Sequence, residues 1–134
     1  MRAVCRWALA TFMVFAGVAH FTAHSTFLKQ VPPWLPMRDA IVGASGVIEV
    51  GFGVALVTVP ARRRGLVGWA LAAFFVLVFP GNIYQAVAGT DAFGLRSPAL
   101  RWGRLLAQPL LIALALWSTG AWRAPVRRPV TIES

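Results

Sequence analysis

The stretch GLVGWALAAFFVLVFPGNIYQAVAGT, residues 65–90, runs for 26 residues without a charge. About 20 mostly apolar residues carry an α-helix across the hydrocarbon core of a bilayer, so this segment is long enough to span. Directly before it stand Arg62, Arg63 and Arg64, and a basic cluster at the end of an apolar run marks the side retained in the cytoplasm. Three further stretches repeat the pattern. Residues 7–28 and 105–122 hold no charge, and residues 40–61 hold only Glu49. A soluble domain of 134 residues could not hide four helices that are apolar all round. Composition agrees: 58% of residues are apolar and 13% charged, against roughly 45–50% and 25% in soluble domains. The sequence predicts an all-α fold, a four-transmembrane-helix antiparallel bundle. Residues 1–122 form its single membrane domain, and 123–134 a disordered, Pro- and Arg-rich cytoplasmic tail.

The spans are expected over about 7–27, 40–59, 65–87 and 105–122. Between the first two lies Val31-Pro32-Pro33-Trp34-Leu35-Pro36. Three prolines in five residues forbid helix and stiffen the chain, which suits a rigid lid over the bundle mouth, with Trp34 at headgroup level. Gly43, Gly46, Gly51 and Gly53 mark the second span as an inner helix packed closely on its neighbours. Pro80 should kink the third span and free backbone groups there.

The net charge of +9 would suit nucleic acid, but the basic residues sit at span ends rather than along a polar face, so they read as topology determinants and no nucleic-acid partner is expected. Arg2, Arg6, Arg62, Arg63, Arg64, Arg123, Arg127 and Arg128 fall on one side, and Lys29, Arg38, Arg96, Arg101 and Arg104 on the other. Eight bases against five place both termini in the cytoplasm. A lone Cys5 offers neither a disulfide nor a redox pair.

With that orientation the polar residues of the spans gather in the outer half. His20 lies on the first span, Ser45 and Glu49 on the second, Asn82 and Tyr84 on the third, and Arg104 and Gln108 at the entry to the fourth. An ionisable group at bilayer depth is costly and normally faces a partner or a cavity, which makes Glu49 the sharpest signal. His20 is its expected hydrogen-bond partner, and Ser45, four residues before Glu49, shares its face. His20 and His24 have the i, i+4 spacing of a metal pair, but without HExxH and with His24 near the surface no metal site is expected. Each residue also has a structural role open to it: Asn82 repairing the bonding around Pro80, Arg104 snorkelling to the interface, Gln108 holding helices together.

Several segments resemble the DoxX family: Ala16-Gly17-Val18-Ala19-His20-Phe21, then Val31-Pro32-Pro33-Trp34-Leu35-Pro36, then Ser45-Gly46-Val47-Ile48-Glu49. Val78-Phe79-Pro80-Gly81-Asn82-Ile83 and Arg104-Leu105-Leu106-Ala107-Gln108 continue the likeness over about residues 10–115. The chain departs from the family pattern at Thr22-Ala23-His24, where a proline usually follows the His-Phe pair, and at Ala107, near another proline position. The resemblance implies a small four-helix membrane protein, with family motif residues at His20, Ser45, Glu49, Asn82, Arg104 and Gln108. Some relatives are linked to redox or quinone-associated complexes and eukaryotic ones to membrane-protein assembly.

Two main readings follow. In the first, the outer cluster binds a small hydrophobic ligand, a quinone among them, or serves a redox-associated membrane subunit. In the second, the chain is an assembly factor or chaperone for other membrane proteins. Transport is disfavoured, since four helices without an evident inverted repeat leave little room for alternating access. The lipid bilayer is the common partner, joined by a membrane protein or a second copy of the chain. Whether the protein is an enzyme is open at this stage.

Overall fold

A computed structural model describes residues 1–89 and 97–123. Arg96 and the tail beyond Arg123 lie outside the described residues. Helix α1 (Arg2–Thr22) breaks at Ala23 and gives way to the short α2 (His24–Leu28); α3 (Arg38–Thr58) follows the proline-rich turn. One 3-10 turn (Ala61–Arg63) leads into α4 (Arg64–Ala88), and α5 (Pro98–Thr119) is the last helix described. The four longer helices are each long and apolar enough to cross a membrane.

The chain runs up and down, so neighbours in the bundle are antiparallel. α1 packs most extensively on α3, and α4 on α5, giving two helical hairpins; α1 with α5 and α3 with α4 join them. Near the end that carries the N-terminus and the arginine turn, Leu9, Ala10 and Met13 of α1 meet Leu56 of α3, Leu71, Phe74 and Phe75 of α4, and Ala115 of α5 in the apolar core. Two contacts tie that end: the Arg2 guanidinium lies 5.6 Å from the centre of the Trp117 ring, and the Trp69 indole N–H donates to the Ala121 carbonyl at 3.0 Å.

The α1/α3 hairpin is a backbone-to-backbone seam. A Cβ on Gly17 would stand 2.7 Å from the Gly46 carbonyl oxygen, and one on Gly46 would stand 2.9 Å from that of Gly17. A turn and more away, a Cβ on Gly53 would reach the Ala10 carbonyl at 2.8 Å. Small residues of this kind let helices approach where lipid supplies no hydrophobic drive to pack. Gly43 and Gly51 do otherwise, since a Cβ on either would meet nothing. The second span is accordingly no inner helix: α3 is no more buried than α1 or α4.

Helix ends correct the sequence reading in two places. The first span does not continue to residue 27 as one helix, because the Ala23 backbone (φ −122°, ψ 40°) turns the chain while keeping its bonds: its N–H donates to Ala19 and its carbonyl accepts from Phe27. Apolar continuity cannot register a break that leaves the hydrogen bonding intact. The fourth span begins not at 105 but at Pro98, behind Ser97, whose hydroxyl accepts from the Leu100 N–H at 3.2 Å. Serine as N-cap with proline next is a strong start signal, and it puts Arg101 and Arg104 on a helix instead of in a loop. α5 ends at Gly120 (φ 71°), where Gly120 N–H bonds Trp117 and Ala121 N–H bonds Leu116, the paired bonds of a Schellman turn. Pro80 remains inside α4, as Pro109 does inside α5.

Residues 24–37 cover the opposite end of the bundle. Phe27, Val31 and Val42 form a second apolar cluster there, with Leu28 and Leu35 against it. Arg38 clasps the cover, donating from Nη2 to the Leu28 carbonyl at 2.6 Å and to that of Val31 at 3.0 Å. Trp34, expected to help cap the mouth, is 76% exposed. The capping is done by the residues before it, Phe27 to Pro32, because the turn in which Leu35 N–H bonds the Pro32 carbonyl throws Pro33 and Trp34 outward.

Candidate functional site

Two polar rungs cross the α4/α5 hairpin in the half under this cover. In the first, Asn82 donates from Nδ2 to Gln108 Oε1 at 2.9 Å, and Gln108 Nε2 donates to the Phe75 carbonyl at 3.0 Å. Pro80 has no N–H for the Val76 carbonyl, so this turn of α4 is short of donors. Gln108, not Asn82, bonds the backbone here, at the Phe75 carbonyl one residue before that orphan, with Asn82 holding the Gln108 amide in place. In the second rung, Arg104 Nη1 donates to Gln85 Oε1 at 2.8 Å.

The second rung extends into the cover. The Gln30 and Gln85 amides meet at 2.7 Å. Turning the Gln30 amide lets its oxygen accept from the Arg104 guanidinium, at the loss of the bond its Nε2 donates to Gln85 Oε1. Which way an amide points is settled by its neighbours, and a guanidinium with only donors to offer selects oxygens. Gln30 enters from the proline-rich segment, whose backbone approaches α4 at Gly81: a Cβ there would stand 3.4 Å from the Gln30 carbonyl oxygen.

The α1/α3 hairpin supplies the titratable pair. His20 Nδ1 lies 3.2 Å from Glu49 Oε2, and their side chains are 9% and 13% exposed. The same ring nitrogen is 2.8 Å from the Ala16 carbonyl, which takes the proton in the usual i, i−4 fashion. Glu49 Oε2 is consequently buried without a hydrogen bond. The Phe27 ring stacks on the imidazole, centroids 3.8 Å apart, which fixes the ring under the cover. Arg104 stands close enough for attraction to Glu49, so the two hairpins meet electrostatically at this guanidinium.

Of the residues singled out from sequence, His20, Glu49, Asn82, Arg104 and Gln108 fall in this half, in two linked groups. Ser45 is half-buried on α3 and makes no hydrogen bond to them. His24 is separated from His20 by the Ala23 break and bonds Asp39 Oδ1 at 2.8 Å on the surface, so the two histidines share no ligand position. Two central members were missed. Gln85, 2% exposed, is the acceptor for Arg104; its place three residues after Asn82 on one helical face was a usable signal. Gln30 carried none, since a loop glutamine beside prolines reads as solvated.

No curated protein and no solved structure matches the chain. The resemblance to DoxX is not what the family comparison identifies. What matches, over residues 9–119, from the core leucine of α1 to the last turn of α5, is a family described as Domain of unknown function (DUF8561), and the chain belongs to it.

Proposed function

We propose that this small multi-pass membrane protein binds a neutral amphiphile bearing hydroxyl or carbonyl oxygens beneath the cover of residues 24–37. The observation that carries the reading is Glu49 Oε2, buried and without a donor beside an imidazole already engaged elsewhere. Buried carboxylates are normally satisfied, and an open acceptor is an invitation to an O–H group. Arg104 offers N–H groups to a carbonyl oxygen from the facing hairpin. Because Arg104 and Glu49 compensate each other, the ligand need bring no charge. A quinone or quinol fits this donor and acceptor set and agrees with the redox-associated role that the DoxX resemblance implies. Such a ligand would carry the electrons; Arg104 and Gln108 would donate hydrogen bonds to it, Glu49 or His20 would exchange its protons, and Ser45 and Asn82 would complete the polar lining.

Glu49→Gln and His20→Asn keep most of the packing volume while removing the proton-exchanging groups. Each is expected to lower the amount of small molecule co-purifying with gently solubilised protein about tenfold, the worth of one hydrogen bond to a charged group. Unchanged recovery of every co-purifying molecule from both variants would leave the cluster a structural network.

A second reading, an assembly factor for other membrane proteins, is favoured by Gly43 and Gly51, which present open backbone on the lipid side of α3 where a client helix could pack. In either case the base count supports cytoplasmic termini. Cysteine placed at Arg63 should resist a membrane-impermeant thiol reagent added to intact cells, and cysteine at Lys29 should react. Reversed reactivity would invert the topology.

A further inference from the structure

On the outer side of the α1/α3 hairpin, away from the polar cluster, an apolar groove of about 500 Å³ is lined by Trp7, Thr11, Phe15 and Val18 of α1 and Val54 and Val57 of α3. From Trp7 to Val18 it follows eleven residues of helix, about 16 Å at 1.5 Å per residue. Half the hydrocarbon thickness is about 15 Å. The groove therefore spans one leaflet, from the headgroup level, where Trp7 sits beside Arg6, to the midplane. Its depth is that of a single acyl chain.

The charge at its upper end is one-signed. Arg2, Arg6, Arg62, Arg63, Arg64 and Arg123 all lie there, while the carboxylates among the described residues, Asp39 and Glu49, are at the other end and in the other half, beside His24 and His20. Arg6 and Arg64 are close enough to repel, and Arg6 Nε is buried without a hydrogen bond. Arg62 and Arg63 are exposed and lie five and six residues after Val57 of the groove, across the extended link at Val59 and Pro60. No protein anion among the described residues balances these groups, and lipid phosphates are the anions available at that depth.

We propose that the groove and the arginine turn together form a site for an anionic glycerophospholipid, one acyl chain lying between α1 and α3 and its phosphate on Arg62 and Arg63. The test is native mass spectrometry of the full chain released from micelles containing equal amounts of dioleoyl phosphatidylglycerol and dioleoyl phosphatidylcholine. The expected result is one retained phosphatidylglycerol per chain, in clear preference to phosphatidylcholine. The double variant Arg62→Gln, Arg63→Gln should lower that preference about 25-fold, the attraction that two basic side chains contribute at an anionic surface. Thr11→Phe fills the groove from an exposed position and leaves every arginine in place, so it should fold normally and lose the retained lipid. Equal retention of both lipids by the unaltered chain overturns the proposal. So does retention at the original level in Thr11→Phe, which would reduce the arginines to a diffuse attraction for the membrane surface.

Discussion

Gly46→Val should lower the melting temperature of the detergent-solubilised protein steeply, whereas Gly43→Ala, three residues away on the same helix, should leave it unchanged or raise it. A Cβ at position 46 meets the Gly17 carbonyl oxygen at 2.9 Å and His20 Cβ at 2.8 Å. Backbone cannot swing aside as a side-chain tip can, so valine must push α1 off α3. Overpacking of this kind costs about 3 kcal/mol. The same displacement carries His20 away from Glu49, so ligand recovery should fall in step with stability. At Gly43 a methyl group enters open space, and alanine in place of glycine within a helix contributes about 0.5–1 kcal/mol. If the two variants melt alike, the seam is not where the hairpin derives its stability.

The other large effect is expected at Arg104. Arg104→Met keeps the apolar stem but strips the donor from Gln85 Oε1 and the positive charge from the neighbourhood of Glu49. Removing one partner of a mostly buried charged set costs about 3 kcal/mol, chiefly because the groups left behind remain desolvated. Arg104→Lys should recover only part of this, since an ammonium lacks the planar fork of donors that a guanidinium offers to the Gln85 and turned Gln30 oxygens. Adding Glu49→Gln to Arg104→Met should restore roughly 1 kcal/mol of coupling. Melting of the four proteins gives the cycle directly; strict additivity would mean that Arg104 and Glu49 do not sense each other and that the hairpins are joined by apolar contacts alone.

Span number and antiparallel order were legible because length and the absence of charge are properties of whole segments. Positions such as Leu9, Leu56 and Leu71, each almost wholly buried, needed only a bundle to point into. What escaped was local. Arg101 and Arg104 suggested a loop, yet Ser97 and Pro98 had already started the helix, and a partly buried arginine on a helix has a different role from one in solvent. Gly43, Gly46, Gly51 and Gly53 are indistinguishable by type, and only the crossing of α1 over α3 assigns Gly46 and Gly53 to the seam and leaves Gly43 and Gly51 outside. Depth alone brought His20 and Glu49 together, 3.2 Å apart, but the hydrogen bond expected between them goes to the Ala16 carbonyl instead. Gln30 could not be placed this way, because its partners Gln85 and Arg104 are far along the chain and only the fold of the cover delivers it.

The placement of the polar pairs also bears on how the chain enters the membrane. His20 and Glu49 belong to the hairpin made first; Asn82 with Gln108, and Gln85 with Arg104, belong to the hairpin made second. Each half thus carries polar neighbours for its costly groups inside itself, with Glu49 Oε2 left as one open acceptor, and has a glycine at its own crossing, Gly46 in one and Gly68, against the Ala115 carbonyl, in the other. The second half needs nothing from the first to match its amides, whereas the first meets the charge that attracts Glu49 only when Arg104 arrives. The Gln30 amide and the attraction between Arg104 and Glu49 then act as a late seal, made only once both hairpins are in place and the cover has folded across the mouth.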